Sequence, residues 1–414
     1  MLHKKDIFFR KVVVQKFGGS SLSDINAILS VAQNIVKQSV KKKIILVVSA
    51  LLGVTNKLIA EVSNIDNPND CRKFRELDSY ISTGENASAA LMAICLQKFG
   101  IRAVSMQGWQ VPIITDNSFS NSKILEIKKE KILKLLDEDV IPVITGFQGV
   151  DESNNITTLG RGGTDITALA IAASIGIKEC EIYKDVSSLY SIDPRLSSKV
   201  VAIPRISYDN MMEMSYLGAK ILEKRAVAIA KKYGISINIL NIKKQNCIGT
   251  KISNYFDKNL IKKMETSVID SVNIKNDFSH FILENISNDL VLELIEGLEQ
   301  NSFDVSFLNF NQELKTLSFN VPLLKKNSLN NYLSNKLSKI NYRSFSDFAY
   351  VSLIGINLDH IAFVKSVISL LRKIKVNLFG FSISNIKIIL LLKVDLAEKA
   401  AVSLHDIFIK KDKD

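Results

Sequence analysis

Through the first 250 residues, short apolar runs alternate with longer segments of helical period. Val12–Gln15 and Ile44–Ser49 (IILVVS) are runs of the kind that parallel sheets bury on both faces. Val111–Thr115, Val140–Thr145, Glu179–Tyr183 and Ile235–Leu240 repeat the signal. Between them the pattern predicts a helix beginning near Ser23, a pair at Arg75–Glu85 and Asn86–Phe99, and a lysine-rich amphipathic helix over about Lys123–Leu136. Two more follow, the smooth apolar run Ile166–Ile177 and Tyr208–Lys232, the latter interrupted near Gly218. Such alternation gives an α/β fold with a mainly parallel sheet covered on both faces.

The pattern changes near residues 245–270, which are polar and then lysine-rich. Beyond them come a strand (Phe281–Glu284), a helix (Asp289–Gln300) and strands Val305–Phe310 and Leu317–Val321. A second copy follows: strand Tyr350–Ile354, helix Ile361–Ile374, strands Val376–Ser382 and Ile386–Val394, and helix Leu396–Phe408. Each copy reads βαββ plus a helix, a small ferredoxin-like unit. The expected domains are therefore 1–255, 270–340 and 345–414. The two tail units carry no catalytic-looking residues, which points to binding, regulation or dimerisation.

Two glycine turns sit where strands or loops open into helices. Val12–Gln15 runs into Lys16-Phe17-Gly18-Gly19-Ser20-Ser21, the layout of a phosphate-binding loop, although the lysine precedes the glycines and the spacing is not that of a Walker A motif. Gly160 to Asp165 (GRGGTD) places three glycines, Arg161 and an acid ahead of the apolar helix. Free backbone N–H groups and the positive end of the helix dipole there favour an anion, and the Arg161 fork fits a carboxylate or phosphate. Asp165 beside an anion site calls for a cation, a metal or an ammonium. Taken alone, the same turn also reads as a helix cap with Asp165 in a capping role. Glu85, an acid at a helix start, is equally a favourable dipole partner or a ligand-binding group.

Composition narrows the classes. The 414 residues are 47% apolar with a net charge of +12, enough for two or three globular domains. The lysines are scattered rather than gathered in a basic stripe with interleaved aromatics, so a nucleic-acid partner is not expected. No apolar run reaches membrane-spanning length, and the basic start MLHKKDIFFRKVVVQKF lacks an unbroken apolar core and a small-residue cleavage site. Cys71, Cys95, Cys180 and Cys247 are isolated, without metal-ligand spacing, as expected of reduced thiols in a cytoplasmic protein; no residue is assigned to a metal. The four histidines are His3, His280, His360 and His405, so none lies near the glycine turns. Chemistry there must proceed without an imidazole base.

Two anion loops, two basic groups (Lys16, Arg161) and acids at element ends (Glu85, Asp165, Asp185, Asp193) suit phosphoryl transfer, which needs charge neutralisation and in-line positioning above all. A carboxylate acceptor, with a pKa of about 4, is already ionised at neutral pH and needs no base.

The ordered runs KFGGSS (16–21), VSALLGVTN (48–56), RELD and STGE (75–85), GFQGV (146–150), ITTLGRGGTD (156–165), CEIYKDV (180–186), YSIDPR (190–195) and LGAKIL (217–222) resemble the aspartokinases, members of the amino-acid kinase superfamily. The tail resembles their tandem ACT domains, most clearly at VSLIG (351–355) and SISNIKI (382–388). The resemblance implies the amino-acid kinase fold followed by two ACT units, and phosphorylation of the β-carboxylate of L-aspartate by ATP with Mg2+. It also implies a homodimer or higher homo-oligomer formed through the tail.

Residue by residue, the resemblance implies that Lys16, Phe17, Gly18, Gly19 and Ser20 hold ATP phosphates, with Ser49 on the nucleotide side and Thr55 on the substrate side. Glu85 would pair with the aspartate ammonium and Arg161 would clamp its α-carboxylate, flanked by Gly162, Gly163 and Thr164. Lys16 and Asp165 would be the catalytic pair, while Lys184, Asp185, Tyr190, Asp193, Arg195 and Lys220 would line the nucleotide pocket. Several positions depart from the family. Lys184 stands for a small Ser or Thr, Ser187-Ser188 for Asp-Gly, and Glu223-Lys224 for His-Pro with Arg225 kept. Ser287-Asn288-Asp289 and His360-Ile361 replace the Pro-Gly loops that help form the family's inhibitor site, so feedback control by lysine or threonine is not carried over.

Overall fold

The computed structural model describes residues 10–65, 74–219, 221–242, 249–254, 267–301, 303–336 and 341–409. They form two compact units: one built from the chain up to Leu189 with Ala202–Ser215 and the segments between 221 and 254, the other from Tyr190–Val201, Tyr216–Ala219 and the chain from 267 onward. Cys71, Cys247 and Lys220 lie outside the described residues; Cys95 and Cys180 are free, buried thiols.

The first unit is organised on an eight-stranded sheet. Its order is Arg205–Ser207, Thr250–Ser253, Ser236–Asn241, Glu179–Lys184, Lys11–Phe17, Lys42–Val48, Ile141–Thr145 and Ala103–Met106. From Ser236–Asn241 to Ala103–Met106 all neighbours are parallel, while Thr250–Ser253 runs antiparallel to Ser236–Asn241. The central strands are apolar on both sides because both sides are covered. Helices Ile25–Ser39 and Thr83–Lys98 pack Ile28, Val31, Ile35, Met92 and Leu96 against Val13, Leu46 and Val143. Helix Gly163–Ile175 lies against the same central strands and is buried nearly all round, which explains its lack of a polar stripe. The strand Lys11–Phe17 sits where the order of connections reverses, with Lys42–Val48 on one side and Glu179–Lys184 on the other, and the crevice at such a point is where α/β sheets hold ligands.

One expectation needs correction here. The helix predicted over Lys123–Leu136 is a strand, Ile124–Ile127, then a shorter helix, Glu130–Asp137. Ile124–Ile127 finds backbone partners in Ile113–Thr115, part of a small second sheet with Gln148–Val150 and Ile156–Thr158. Only Ile132 and Leu136 carry the buried helical stripe. Tyr208–Lys232 is interrupted as expected, into helices Tyr208–Tyr216 and Lys224–Tyr233. Gly218 lies between them at φ +118°, a backbone state that other residues rarely adopt.

The second unit contains two four-stranded antiparallel sheets, each backed by two helices. One orders Ser306–Asn311, Thr316–Pro322, Phe278–Glu284 and Asn341–Phe345 over helices Asn288–Gln300 and Lys326–Lys336. The other orders Val268–Lys275, Phe348–Ile356, Lys387–Lys393 and Gly380–Ser384 over helices Ile361–Lys373 and Val394–Phe408. The sheets are not consecutive in the chain. Val268–Lys275 pairs with Phe348–Ile356, so the layer spanning 278–345 is inserted into one that starts at 268 and resumes at 348. That differs from consecutive units at 270–340 and 345–414, because the pairing joins strands far apart in the chain, beyond the reach of local pattern. At Ser287-Asn288-Asp289, Ser287 caps helix Asn288–Gln300 by accepting a hydrogen bond from Leu290 N at 3.4 Å.

Candidate active site

Strand register fixes which loops share an edge. Phe17 is level with Val48 and with Tyr183, and Val48 with Thr145. The chain therefore leaves the sheet at Gly18, Ser49, Gly146 and Asp185 along one carboxyl edge. The Gly160–Thr164 turn arrives at the same edge, where the Ser49 and Thr164 hydroxyls hydrogen bond at 2.9 Å. The two glycine loops are neighbours, as a shared ligand requires. Gly162 is obligatory: its φ is +68°, and a Cβ there would lie 2.5 Å from Glu223 Cβ. A Cβ on Gly18 would press on Lys16 Nζ at 3.1 Å, so that glycine lets the ammonium fold back beneath the loop.

At the centre, Lys16 Nζ lies 2.7 Å from Asp165 Oδ1, and Lys184 Nζ lies 3.1 Å from Oδ2. Lys16 and Asp165 are only 4% and 3% exposed. Burial, with the nearby Lys184 charge, outweighs the attraction of Asp165 and lowers the Lys16 ammonium to about 8. Burial alone would raise the Asp165 carboxyl, but the two ammonium groups hold it below the usual carboxylate range. Beneath them, burial pushes the Cys180 thiol far up, so it stays neutral.

Glu85 occupies the first turn of helix Thr83–Lys98 and is 3% exposed. Its Oε1 accepts a hydrogen bond from Ala50 N at 3.0 Å, in the loop after Lys42–Val48. Its Oε2 is buried without a partner among the described residues. Burial raises this carboxyl to about 7. An orphaned, desolvated carboxylate oxygen is costly for the fold and is suited to receive an ammonium. Ser88 ties the same helix to the loop by donating to Ser49 O at 2.6 Å, and Gln148 donates to Ser82 O and Asn86 Oδ1, both at 3.0 Å.

The remaining expected residues are placed as follows. Arg161 is exposed at the turn, with the half-buried Glu223 carboxyl in its field. Gly163 and Thr164 are buried, Thr55 is half-buried in the first turn of helix Val54–Ser63, and Gly19 and Ser20 are half-buried. Phe17 turns its ring into the core, stacked on Tyr183 at 4.5 Å, so only its backbone faces the edge. Asp185 is exposed, its carbonyl accepting from Asn241 Nδ2 at 2.9 Å. Tyr190, Asp193 and Arg195 belong to the second unit, where Ile192 joins the core and Arg195 pairs with Asp193 at 2.5 Å.

Sequence reasoning missed the group that holds the substrate-side loop in place. Asp78 is fully buried and accepts four bonds, from Ser120 N and Oγ at 2.8 and 2.9 Å and from Thr158 N and Oγ1 at 2.6 and 2.8 Å. It clamps the strand that leads into Gly160. The signal was present: Phe74, Asp78 and Ile81 stand at i, i+4 and i+7, so an acid sits in an apolar stripe. Arg225 acts similarly, donating to Leu159 O, Ser122 O and Asn121 Oδ1.

Residues 11–241 match the model of the amino acid kinase family. The aspartokinase of Rickettsia felis is 34% identical over 403 residues, 96% of this chain and 99% of that protein. The aspartokinase of Helicobacter pylori is 32% identical over 409 residues, again 96% of this chain and 99% of that one. The crystal structure of E. coli aspartokinase III in complex with aspartate and ADP aligns with a TM-score of 0.80 at 21% identity, over 96% of this chain and 99% of that chain, a likeness of fold. The chain therefore belongs to the amino acid kinase family and, within it, to the aspartokinases.

Proposed function

We propose that the carboxyl edge of the first unit transfers the γ-phosphoryl group of ATP to the β-carboxylate of L-aspartate, giving 4-phospho-L-aspartate and ADP. This reaction opens the route to lysine, threonine, methionine and diaminopimelate. The observation that carries the reading is the Lys16–Asp165 ion pair, which joins both glycine loops on the edge that also holds the orphaned Glu85 oxygen.

The acceptor is ionised at neutral pH, so one β-carboxylate oxygen attacks phosphorus directly. An O–P bond forms as the bond to the β,γ-bridging oxygen breaks, and ADP leaves with that electron pair. No proton moves, which fits an edge without histidine. Lys16 and the backbone N–H groups of Gly18–Ser20 offset the charge on the transferred group, and Asp165 orients the ammonium. Glu85 receives the aspartate ammonium, and Arg161 takes its α-carboxylate beside Gly162–Thr164. Ser49 and Thr55 flank the two substrates, and Asp185 lies at the nucleotide end of the same edge. The expected Mg2+ fits as an ion carried on the nucleotide's phosphates. Mg2+ keeps several waters and takes few protein ligands, and the central carboxylate, Asp165, is already engaged by two ammonium groups.

Hydroxylamine trapping tests the reading. Aspartyl hydroxamate should accumulate only when both ATP and L-aspartate are present, and its absence with folded protein would refute the assignment. The exposed Phe379 and Phe381, just before and within the edge strand Gly380–Ser384, support assembly through the second unit. Sedimentation should give a homodimer or larger species, and a concentration-independent monomer would contradict it.

A further inference from the structure

The eight-stranded sheet has a second end. Opposite the carboxyl edge, where the parallel strands begin, the first unit holds a cavity of about 260 Å³. It is lined by Arg10 ahead of strand Lys11–Phe17, by Lys42 and Lys43 at the start of strand Lys42–Val48, and by Arg102 just before strand Ala103–Met106. Strand register gathers them: Lys11 is level with Lys42, and Ala103 with Ile141 on the strand between Lys42–Val48 and Ala103–Met106. Asp139, in the turn before Ile141–Thr145, is the one carboxylate lining the cavity among the described residues. Strand Lys11–Phe17 is 7 residues long. The cavity therefore lies roughly 20–25 Å from the glycine loops and is separate from them.

These cations have a structural task. Arg10 donates to Ser39 O at 2.8 Å and pairs with Asp139, Lys43 donates to Leu136 O at 2.8 Å, and Arg102 donates to Glu138 O. The carbonyls belong to the ends of helices Ile25–Ser39 and Glu130–Asp137, and a cation at a helix C-terminus suits the dipole. That task does not exhaust the charge. Each helix end carries about half an elementary charge. Asp139 adds a full one, as does Glu181, which Lys42 reaches at 2.5 Å. Against them the four cations keep an excess of about one positive charge. Donors are in excess as well. Lys43 and Arg102 each use one N–H in this way among the described residues, and Arg10 Nε is buried without a partner. Buried apolar side chains, Ile44, Leu136 and Ile141, complete the lining.

We infer that this cavity at the amino end of the sheet binds a phosphate group, free or as the monoester of a small molecule. Guanidinium forks and ammonium groups with open donors match a phosphate's oxygens, and its negative charge meets the excess left by the helix ends. The volume sets the size of the rest. Ligand pockets start at about 300 Å³, so this cavity suits a phosphate on a short carbon chain rather than a nucleotide. Asp139 is the competitor: its carboxylate holds Arg10, and an entering anion must share that guanidinium with it. The site stands apart from the transfer chemistry of the carboxyl edge and does not depend on it.

Calorimetry on the full-length protein tests this, with inorganic phosphate and glycerol 3-phosphate as probes at constant ionic strength. Saturable binding should appear in wild type and survive in Lys16→Met, which removes the ammonium of the carboxyl edge. In the Lys16→Met background, Lys43→Gln and Arg102→Gln should each weaken it about tenfold, the loss of one charge-assisted contact. Asp139→Asn should tighten it severalfold, because the anion no longer competes with a carboxylate for Arg10. Asparagine accepts the φ of +57° that Asp139 holds, and a gain in affinity does not come from a damaged fold. Tighter binding of glycerol 3-phosphate than of phosphate assigns the cavity to a monoester, and equal binding assigns it to free phosphate. The inference is overturned if saturable binding is absent or disappears in Lys16→Met. It is equally overturned if Lys43→Gln and Arg102→Gln leave the affinity unchanged, or if Asp139→Asn fails to raise it.

Discussion

The two units differ in where they keep charge. In the second, the unpartnered buried atoms among the described residues are neutral, Asn330 Oδ1 and Ser384 Oγ, while other buried polar side chains are matched: Asn320 bonds His280 Nδ1 at 2.6 Å and the Tyr350 hydroxyl at 3.1 Å, and Ser191 Oγ meets His405 Nε2 at 2.8 Å. Its ion pairs, such as Arg343–Glu284 and Lys393–Asp347, lie at the surface. In the first, charge is concentrated where water is scarce, with two lysines on one aspartate and a glutamate oxygen without a partner. Matched polar groups make a fold specific and stable, whereas unmatched buried charge weakens it and persists where a ligand completes it. The contrast is one of charge: the first unit buries ionised groups that a substrate would complete, and the second keeps its ion pairs at the surface.

The contrast breaks most visibly at Lys16. Lys16→Met should lower kcat by about a thousandfold or more, the scale of losing a central charge-stabilising group, while circular dichroism and thermal unfolding stay native-like. A hundredfold smaller effect would mean that the cluster is structural.

Glu85 sharpens the comparison from the stability side. Glu85→Gln should reduce kcat/KM for aspartate about a hundredfold, largely through KM. It should also make the protein more stable. The folded carboxyl at about 7 lies above the ordinary 4.5, so its contribution favours the fold below pH 4.5 and is lost as pH rises to 7. Above pH 7 the variant should gain roughly 1–2 kcal/mol in urea unfolding, a discounted share of that shift because the amide needs its own acceptor. The gain should vanish by about pH 4.5.

Two structural substitutions mark the lower end. Asp78→Ala should destabilise by about 2–4 kcal/mol in urea unfolding, since it strands the donors of Ser120 and Thr158. Asn320→Ala in the second unit should cost about 1–2 kcal/mol with kcat/KM unchanged. A loss of activity larger than its loss of stability would erase the distinction between the units.

How much of this was legible follows from the same physics. The parallel strands and the helix after Gly160–Asp165 were readable because continuous apolar runs have few alternative uses, and the glycine loops because few other residues fit there. Lys16, Asp165 and Glu85 stood out as charges beside such loops. Ile124–Ile127 was misread because a four-residue strand is announced by its partner rather than by its own period. The pairing of Val268–Lys275 with Phe348–Ile356 spans some 80 residues of chain that local pattern cannot bridge. Asp78 was overlooked as one charge in a short helix, and the convergence of Lys184 on Asp165 depends on strand register that only coordinates supply.

The most direct test of the claim that unmatched charge is the working part is the pH profile of kcat/KM for L-aspartate at saturating ATP. The account predicts a fall below about pH 7, as Glu85 takes a proton and can no longer receive the ammonium, and loss of that acid limb in Glu85→Gln. A profile flat from pH 5.5 to 8 in wild type, or an acid limb that survives the substitution unchanged, would contradict it.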